Sequence, residues 1–299
     1  MASSHMIFDR RLLALRRTRA AGRIERVLPV LEEAADRLLD RLDDITLRFR
    51  QALDLGGRGV VAPRLRQRGV EHVVSLDLAP AMARIAGGHP VAGDEEWLPF
   101  APGSFDLIVA NLSLHWVNDL PGALIQLRQA LRPDGLLLAS LPALGTLQNL
   151  REALAAEEHE QRGGVSPRVS PFPEISDGAA LLQRAGFALP VADAETMALA
   201  YRSPMALLRD LQAAGESNAV LARAPGVPPR ALLPATLSQL QDAQGQINVT
   251  LRLLTLTGWA PAPTQQQPAR PGSATVRLAD ALGAEEHKLG ETGSGSMPH

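Results

Sequence analysis

Cysteine is absent from this 299-residue sequence, lysine is nearly absent, and aromatic residues make up only 3% of it. Without thiols the chain can form no disulfide, no thiolate nucleophile and no zinc–thiolate centre. Lys288 is the only lysine, so arginine supplies nearly all of the 30 basic residues. We attribute this bias to genomic composition and not to a phosphate-binding surface. A net charge of -2 gives no bulk electrostatic attraction to nucleic acid, and we expect no such partner.

Long apolar runs are also missing. No uninterrupted stretch approaches the ~20 residues that a membrane-spanning helix needs, so we expect no integral membrane segment. Residues 1–5, before Met6, have the form of a cloning leader. The arginine-rich stretch from Arg10 to Arg26 is compatible with an organelle presequence, but it has no apolar core for secretion. We therefore expect a cytoplasmic protein.

Short apolar runs alternate with helical patterns between residues 45 and 145. This alternation predicts a parallel sheet with helices on both faces. The five predicted strands are Gln51 to Leu55, Val73 to Asp77, His89 to Ala92, Phe105 to Ala110 and Leu136 to Leu141.

The segments that flank this core differ from it. Residues 6–44 have helical periodicity and are expected to cover one edge of the sheet. Residues 146–244 are mostly helical, in part as a lid, with a late strand from Phe187 to Leu199. Residues 245–283 contain a final edge strand from Asn248 to Trp259, and 284–299 are expected to form a flexible tail. The sequence thus predicts a doubly wound, mostly parallel α/β sheet of seven strands with helical additions.

The stretch from Ala52 to Asp77 carries the main functional signal. An apolar strand ends in Asp54, and a loop with Gly56, Gly57 and Gly59 follows it. Glycines at this place allow a sharp turn and close approach of a ligand to the backbone. The next strand ends at Asp77, about where a nucleotide-binding βαβ unit places an acid for ribose hydroxyls. The combination predicts a nucleotide site.

Acids or amides fall at four successive strand ends, namely Asp54, Asp77, Asp94 and Asn111. Ligands of open parallel sheets bind beyond these ends. Asp77 would accept two ribose hydroxyls and Asp94 an exocyclic amine. Each acid alone is equally compatible with a helix cap.

Several motifs resemble those of class I S-adenosylmethionine (SAM) dependent methyltransferases of type 11, with a Rossmann-like fold. They are Asp54-Leu-Gly-Gly-Arg-Gly59, Gly93-Asp-Glu-Glu-Trp-Leu-Pro-Phe100, Ser104-Phe-Asp-Leu-Ile-Val109 and Leu131-Arg-Pro-Asp-Gly135. Outer motifs resemble a narrower group, the mitochondrial complex I assembly factor 5 family and its proteobacterial relatives. They include Asn111-Leu-Ser-Leu-His-Trp116, Gly163-Gly-Val-Ser166, Gly215-Glu-Ser-Asn218 and Pro271-Gly-Ser273.

The resemblance implies a place for each part of SAM. Asp54, Gly56, Gly57 and Gly59 would surround its amino-acid part. Asp77 would hold the ribose and Asp94 the adenine amine. Beside these acids would lie Leu78 and Glu95, while Asn111 and Leu112 would lie under the methionine portion. The glycine loop is one residue shorter than the family's Asp-x-Gly-x-Gly-x-Gly, which is expected to reposition its amides or weaken cofactor binding.

The chemical step leaves more alternatives open. His115 is the nearest candidate base, and a packing histidine beside Trp116 is the competing interpretation. Candidate substrate contacts are Trp116, Arg151, Ser166, Glu216, Ser217 and Asn218, although the last three equally fit a turn after a helix. The three tryptophans Trp97, Trp116 and Trp259 are typical of core or sheet-edge positions.

The sequence therefore predicts methyl transfer from SAM to an unidentified small-molecule or protein substrate. The resemblance also implies an alternative, hydroxylation of a protein arginine or assembly help for respiratory complex I, possible partners being its subunits. Oxygen chemistry at non-haem iron uses two histidines and a carboxylate, and no histidine here begins a His-x-Asp or His-x-Glu pair, so we expect no metal site. A non-catalytic SAM-binding scaffold is the third possibility.

Overall fold

Seven strands form one sheet in the order β3-β2-β1-β4-β5-β7-β6 in this computed structural model. The first five are parallel, and β7 is antiparallel to both β5 and β6. This arrangement confirms the predicted mostly parallel sheet. The strand predicted at the edge, β7, instead lies between β5 and β6, and β6 is the edge strand, because an apolar pattern does not show which neighbours a strand pairs with. The strands are β1 (Gln51–Leu55), β2 (His72–Asp77), β3 (His89–Ala92), β4 (Phe105–Asn111), β5 (Leu131–Pro142), β6 (Ala188–Tyr201) and β7 (Ile247–Trp259).

Helices follow most of the strands in the described chain. They are α1 (Arg10–Ala20), α2 (Leu28–Leu39), α3 (Val61–Gln67), α4 (Pro80–Ile85), α5 (Leu120–Ala130), α6 (Gln148–Arg162), α7 (Ser176–Arg184), α8 (Pro204–Ala213) and α9 (Leu232–Gln239). Asp9 caps α1 by accepting a hydrogen bond from the Leu12 amide, and Asp119 caps α5 in the same way through Gly122. Asp9 and Asp119 thus satisfy amides that have no partner within their own helices.

Alternate side chains of the central strands enter two separate cores, because successive residues of a strand point to opposite faces. In β4, Leu107 and Val109 pack on one face with α2, α3 and α4. Ile108 and Ala110 pack on the other face with α5 and α7. Both faces of the parallel sheet are therefore covered, which fits its nearly continuous apolar strands.

The N-terminal segment lies elsewhere than predicted. Its helix α2 packs across one face of the sheet, over β4 and β5, and not along an edge. Leu31, Leu38 and Leu39 are almost fully buried there. The correction has a simple cause, because helical periodicity predicts an apolar stripe but does not say which part of a sheet the stripe covers.

Strand β5 begins five residues before the predicted start. Leu131 pairs with Phe105, and the register then shifts before Leu107 pairs with Leu136. The Pro133-Asp-Gly135 segment, which has the composition of a turn, is therefore an irregularity within this strand pair, with Asp134 at a φ of +61°.

The structure describes residues 6–265 together with 273, 276, 280, 281 and 283. The chain divides into one compact unit, Met1–Ala262, and a second unit, Pro263–His299. The leader expected at 1–5 and the tail expected at 284–299 lie outside the described residues. None of the described helices is long and apolar enough to cross a bilayer.

Docking of α2 on the sheet face yields a stability prediction. Leu39 is 0% exposed in that core, so Leu39→Ala should lower the free energy of unfolding by about 2–5 kcal/mol. Leu47 is 51% exposed, and Leu47→Ala should change it by less than about 0.5 kcal/mol. Urea denaturation measures both, and equal effects of the two substitutions would contradict the burial assigned to α2.

Candidate active site

The loop after β1 has no room for side chains at two of its glycines. Gly56 has a φ of +69°, and a Cβ there would lie 2.4 Å from Cβ of Ser113. A Cβ at Gly57 would lie 2.1 Å from Oδ2 of Asp54. Gly59 also has a positive φ, of +87°. The loop therefore packs its bare backbone against the ends of β1 and β4.

Asp54 lies fully buried beneath this loop. Burial raises its pKa to about 8, although hydrogen bonds from the Ala62 amide and from Ser75 oppose the rise. Its Oδ2 atom lies 3.4 Å from the Ser75 hydroxyl, and Oδ1 has no hydrogen-bond partner. Asp54 is thus a protonated acid at neutral pH, with one oxygen uncommitted.

Asp77 and Glu95 converge on one arginine from the N-terminal helix α1. The Nη1 atom of Arg17 lies 3.3 Å from Asp77 Oδ2 and 3.2 Å from Glu95 Oε1. Arg17 is 1% exposed; burial lowers its pKa, but Asp77 and Glu95 more than offset that effect, so the net shift is upward. Asp77 also accepts a 2.7 Å hydrogen bond from the Ala79 amide, at the start of α4.

A second arginine of α1 holds the neighbouring acids. The Nη2 atom of Arg10 lies 2.5 Å from Asp94 Oδ1 and also bonds Glu95. Its Nη1 atom donates to the carbonyl oxygen of Trp116 at 3.1 Å. The predicted acids at the ends of β2 and β3 therefore lie together, but with Arg10 and Arg17 between them.

The side chain of Asn111, at the end of β4, is hydrogen-bonded to other parts of the fold. Its Nδ2 atom donates to the Leu31 carbonyl of α2 at 3.0 Å, and its Oδ1 accepts from the Ser140 hydroxyl at 2.9 Å. Its side chain fastens α2 to the sheet. The next residue, Leu112, has a φ of +51°, a conformation that is costly without glycine and that concentrates at functional sites.

Glu216 contacts the side chains of Arg58, Trp116 and His115. It accepts hydrogen bonds from Nη2 of Arg58 at 2.8 Å and from the Trp116 indole at 2.7 Å. Its Oε2 atom lies 2.7 Å from Nε2 of His115. Burial raises the pKa of Glu216, but His115 and Arg58 together hold it well below its usual range. Arg58 also donates to the Leu112 carbonyl at 3.0 Å.

The geometry assigns a tautomer to His115. An ionised Glu216 accepts the proton on Nε2, which leaves the lone pair on Nδ1. That atom is buried and has no hydrogen-bond partner. The ring also lies beside Trp116 and Phe172, with centroids 5.5 and 6.4 Å away. His115 is therefore packed between aromatic rings, as the competing interpretation held, and its Nδ1 atom has no hydrogen-bond partner.

A cavity of about 350 Å³ opens beside this cluster. Arg58, Leu112, His115, Trp116 and Glu216 form one end of it. The remaining wall is mostly aliphatic and comes from α2, α6, α8 and α9 together with β6 and β7. Its volume lies in the range of small-molecule sites.

Two predicted substrate contacts do not line this cavity. Arg151 donates to the Ser170 carbonyl at 2.5 Å, and Ser166 donates to Glu158 through both its amide and its hydroxyl. These bonds hold the proline-containing loop from 163 to 173 against α6. Sequence proximity to the site was misleading here, because the loop presents Ser170 and not Ser166 to the cavity.

The other predicted contacts have mixed positions. Ser217 and Asn218 line the cavity, in the turn that follows α8. Leu78 packs against the cluster that contains Trp116. Trp97, expected in the core or at a sheet edge, is 78% exposed.

Sequence reasoning missed the arginines. Arg10, Arg17 and Arg58 were grouped with a general compositional bias. Arg10 and Arg17 nevertheless contact the acids at the strand ends, and Arg58 contacts Glu216. Spacing held a signal, because Arg10 and Arg17 are seven residues apart and so lie on one face of a helix. Of these three arginines, Arg17 and Arg58 are nearly fully buried.

The raised pKa of Asp54 gives a pH prediction. Between about pH 4 and pH 8 the folded chain keeps a proton that the unfolded chain releases, so stability should fall as pH rises through that window. In Asp54→Asn this contribution disappears, and the variant should gain stability relative to the parent between pH 5 and 8. Urea midpoints at these pH values measure the difference, and parallel pH profiles for the two proteins would contradict it.

Known proteins share this architecture and much of the sequence. A family model described as a methyltransferase domain, of type 11, matches residues 53–139. The human protein named "Arginine-hydroxylase NDUFAF5, mitochondrial" is 36% identical over 285 residues, which cover 92% of this chain and 83% of that protein. A "Malonyl-[acyl-carrier protein] O-methyltransferase" of Halorhodospira halophila is 33% identical over 277 residues, which cover 87% of this chain and 90% of that protein.

A solved structure shows the same fold at low identity. The YcgJ protein of Bacillus subtilis superposes with a TM-score of 0.51 at 16% identity, covering 75% of this chain and 98% of that one. With the methyltransferase-domain match and the extensive identity to the human relative, the family is established. The chain is a class I, type 11 SAM-dependent methyltransferase family member, and it belongs to the family of NDUFAF5 and its relatives.

Proposed function

We propose that the chain transfers the methyl group of SAM to an acceptor in the apolar cavity, with His115 as the proton acceptor. The observation that carries this proposal is the His115–Glu216 pair at 2.7 Å, in which His115 lines the cavity and its Nδ1 atom has no hydrogen-bond partner. Glu216 orients the ring and stabilises its protonated form. Catalysis of an in-line displacement otherwise depends mainly on positioning.

Donors and acceptors of the kinds that SAM requires lie at the strand ends beneath α1, where Asp54, Asp77 and Arg17 are each at most 1% exposed. Buried polar atoms without hydrogen-bond partners cluster there, namely Asp54 Oδ1, Asp77 Oδ2, Ser113 Oγ, and Nε and Nη2 of Arg17. Ligand hydroxyls, an amine and a carboxylate are the groups that such atoms bind. When bound, SAM supplies an electrophilic methyl group on a sulfonium.

Each side of the crevice suits a different part of that cofactor. Asp77 and Glu95 would accept from the ribose, with Asp94 nearest the adenine. The bare backbone at Gly56 and Gly57 would lie along the amino-acid part. Arg17 lies between these two regions, since its Nη2 atom is 3.3 Å from a Cβ built on Gly56.

Arginine hydroxylation is a second candidate because of the name of the human relative. That reaction would need a means of activating oxygen. Among the residues that the structure describes, no group of three or more His, Asp or Glu side chains is arranged to hold a metal ion. The two reactions differ in the mass they add to the acceptor, a methylene or an oxygen atom. Incubation with methyl-labelled SAM and cell extract, followed by mass spectrometry, distinguishes them.

A role with complex I subunits and a cytoplasmic location both stay proposals. The first is supported by membership of the assembly-factor family. The second is supported only by the missing secretory core, and the human relative is named as mitochondrial. Tagged protein, fractionated and captured with its partners from the native cell, tests both.

Loss of the ribose acid should weaken cofactor binding. We expect Asp77→Asn to raise the dissociation constant for SAM at least about tenfold, because a charge-assisted hydrogen bond is lost from a buried site. Isothermal titration calorimetry measures it. Asp44→Asn, on an exposed acid outside the crevice, should bind like the parent. Unchanged affinity in folded Asp77→Asn would remove Asp77 from the cofactor site.

Loss of the proposed base should separate binding from turnover. His115→Gln should keep SAM affinity within about threefold and reduce kcat by about 10²–10⁴ with a protic acceptor. Glu216→Gln should reduce kcat less and shift its pH dependence, since the orienting carboxylate is lost. Circular dichroism checks folding. If His115→Gln turns over normally, His115 is only a packing residue.

A further inference from the structure

The wall of the cavity differs sharply from its reactive end. Leucines of four helices face it, including Leu31 of α2, Leu150 and Leu154 of α6, and Leu211 of α8. From the sheet, Leu199 and Val249 complete this surface. These residues belong to two of the hydrophobic cores of the fold, so the cavity is lined by core side chains.

Three polar side chains along this wall are bound to other parts of the protein. Arg168 lies 2.5 Å from Glu158, and Asp210 is paired with Arg26. The Thr146 hydroxyl donates to the Arg252 carbonyl at 3.1 Å. A polar ligand body would therefore be buried without enough partners, which is unfavourable.

We infer that the acceptor is an aliphatic-chain molecule whose chain fills this cavity and whose terminal hydroxyl lies at His115. The inference rests on the proposed methyl transfer for the reaction, but binding of the chain is independent of it. Apolar walls with a few convergent polar groups are typical of sites that bury most of such a ligand.

The proposed methyl transfer needs no reactant besides SAM and the acceptor hydroxyl. The hydroxyl oxygen forms a bond to the methyl carbon as the S–C bond breaks, and the electron pair of that bond returns to sulfur. The proton of the hydroxyl goes to Nδ1 of His115. Glu216, 2.7 Å from Nε2, balances the charge that appears on the ring.

Binding is tested on the full chain by displacement of the fluorescent lipid cis-parinaric acid. Competitors are straight-chain alcohols of increasing length, dodecanoate and farnesol, which separate alcohol, carboxylate and isoprenoid sources of the chain. We expect saturable displacement, about fourfold tighter for each added methylene until the cavity is full. Displacement that does not depend on chain length, or no displacement, would overturn the inference. Because this test uses the parent protein, it does not require any variant to fold.

Two matched substitutions localise the site. Leu211→Trp, in the cavity wall, should weaken chain binding at least about tenfold and leave SAM binding unchanged. Leu47→Trp, 51% exposed and outside the wall, should change neither. Equal binding by the parent and a folded Leu211→Trp would place the chain elsewhere and overturn the inference. Leu208→Phe, in the same wall, fills less of the cavity volume than Leu211→Trp.

The outcomes separate the two proposals. If SAM binds and its label goes to an arginine peptide but to no aliphatic alcohol, methyl transfer stands and this inference fails. If chains bind with the expected length dependence but SAM does not, the chain-binding site stands and the proposed function fails.

Discussion

The carboxylate of Glu216 is the contact on which the candidate site depends. One side chain, from the turn after α8, accepts from Arg58 of the glycine loop, from the Trp116 indole and from His115. It therefore ties the cofactor side of the crevice to the proposed base. Because Glu216 is only about one-fifth exposed, removing one of these partners would leave the others poorly compensated.

The N-terminal helix is a structural part of the same crevice. Arg10 and Arg17 of α1 hold the acids at the ends of β2 and β3, while Arg16 donates to the Asn218 carbonyl. The segment before α1 adds backbone contacts, from Asp9 to Ala219 and from Leu221 to Ile7. The α1 region therefore contacts both the acids at the strand ends and the turn that carries Glu216.

Sequence patterns predicted the sheet well because they reflect local physics. Apolar runs such as Leu107 to Val109 are buried on both faces, and an apolar run bounded by polar residues is a direct sign of such a strand. The acids at the strand ends were also visible, since parallel strands bring their carboxyl ends to one edge of the sheet.

Other parts of the site were hidden from sequence reasoning. Apart from its seven-residue spacing from Arg10, nothing local distinguishes the buried Arg17 from the exposed arginines near it. Likewise, Asn111 was expected under the cofactor, yet its amide binds the Leu31 carbonyl 80 residues earlier. The position of α2 over β4 and β5 decides that contact, and helical periodicity carries no information on it.

The short glycine loop is best understood through Arg58. A loop one residue shorter than the family pattern was expected to weaken cofactor binding by shifting its amides. In the structure Gly56 and Gly57 still pack against Ser113 and Asp54 with no room for a Cβ, so the close approach of backbone is retained.

What the shorter loop adds is a buried cation. Arg58 is 2% exposed, and its guanidinium reaches the Leu112 carbonyl and Glu216. Burial lowers the pKa of Arg58, and Glu216 opposes that effect, so the pair is stable only while both charges face each other. Arg58 of the loop thus favours the ionised form of Glu216, which contacts His115 at the end of β4.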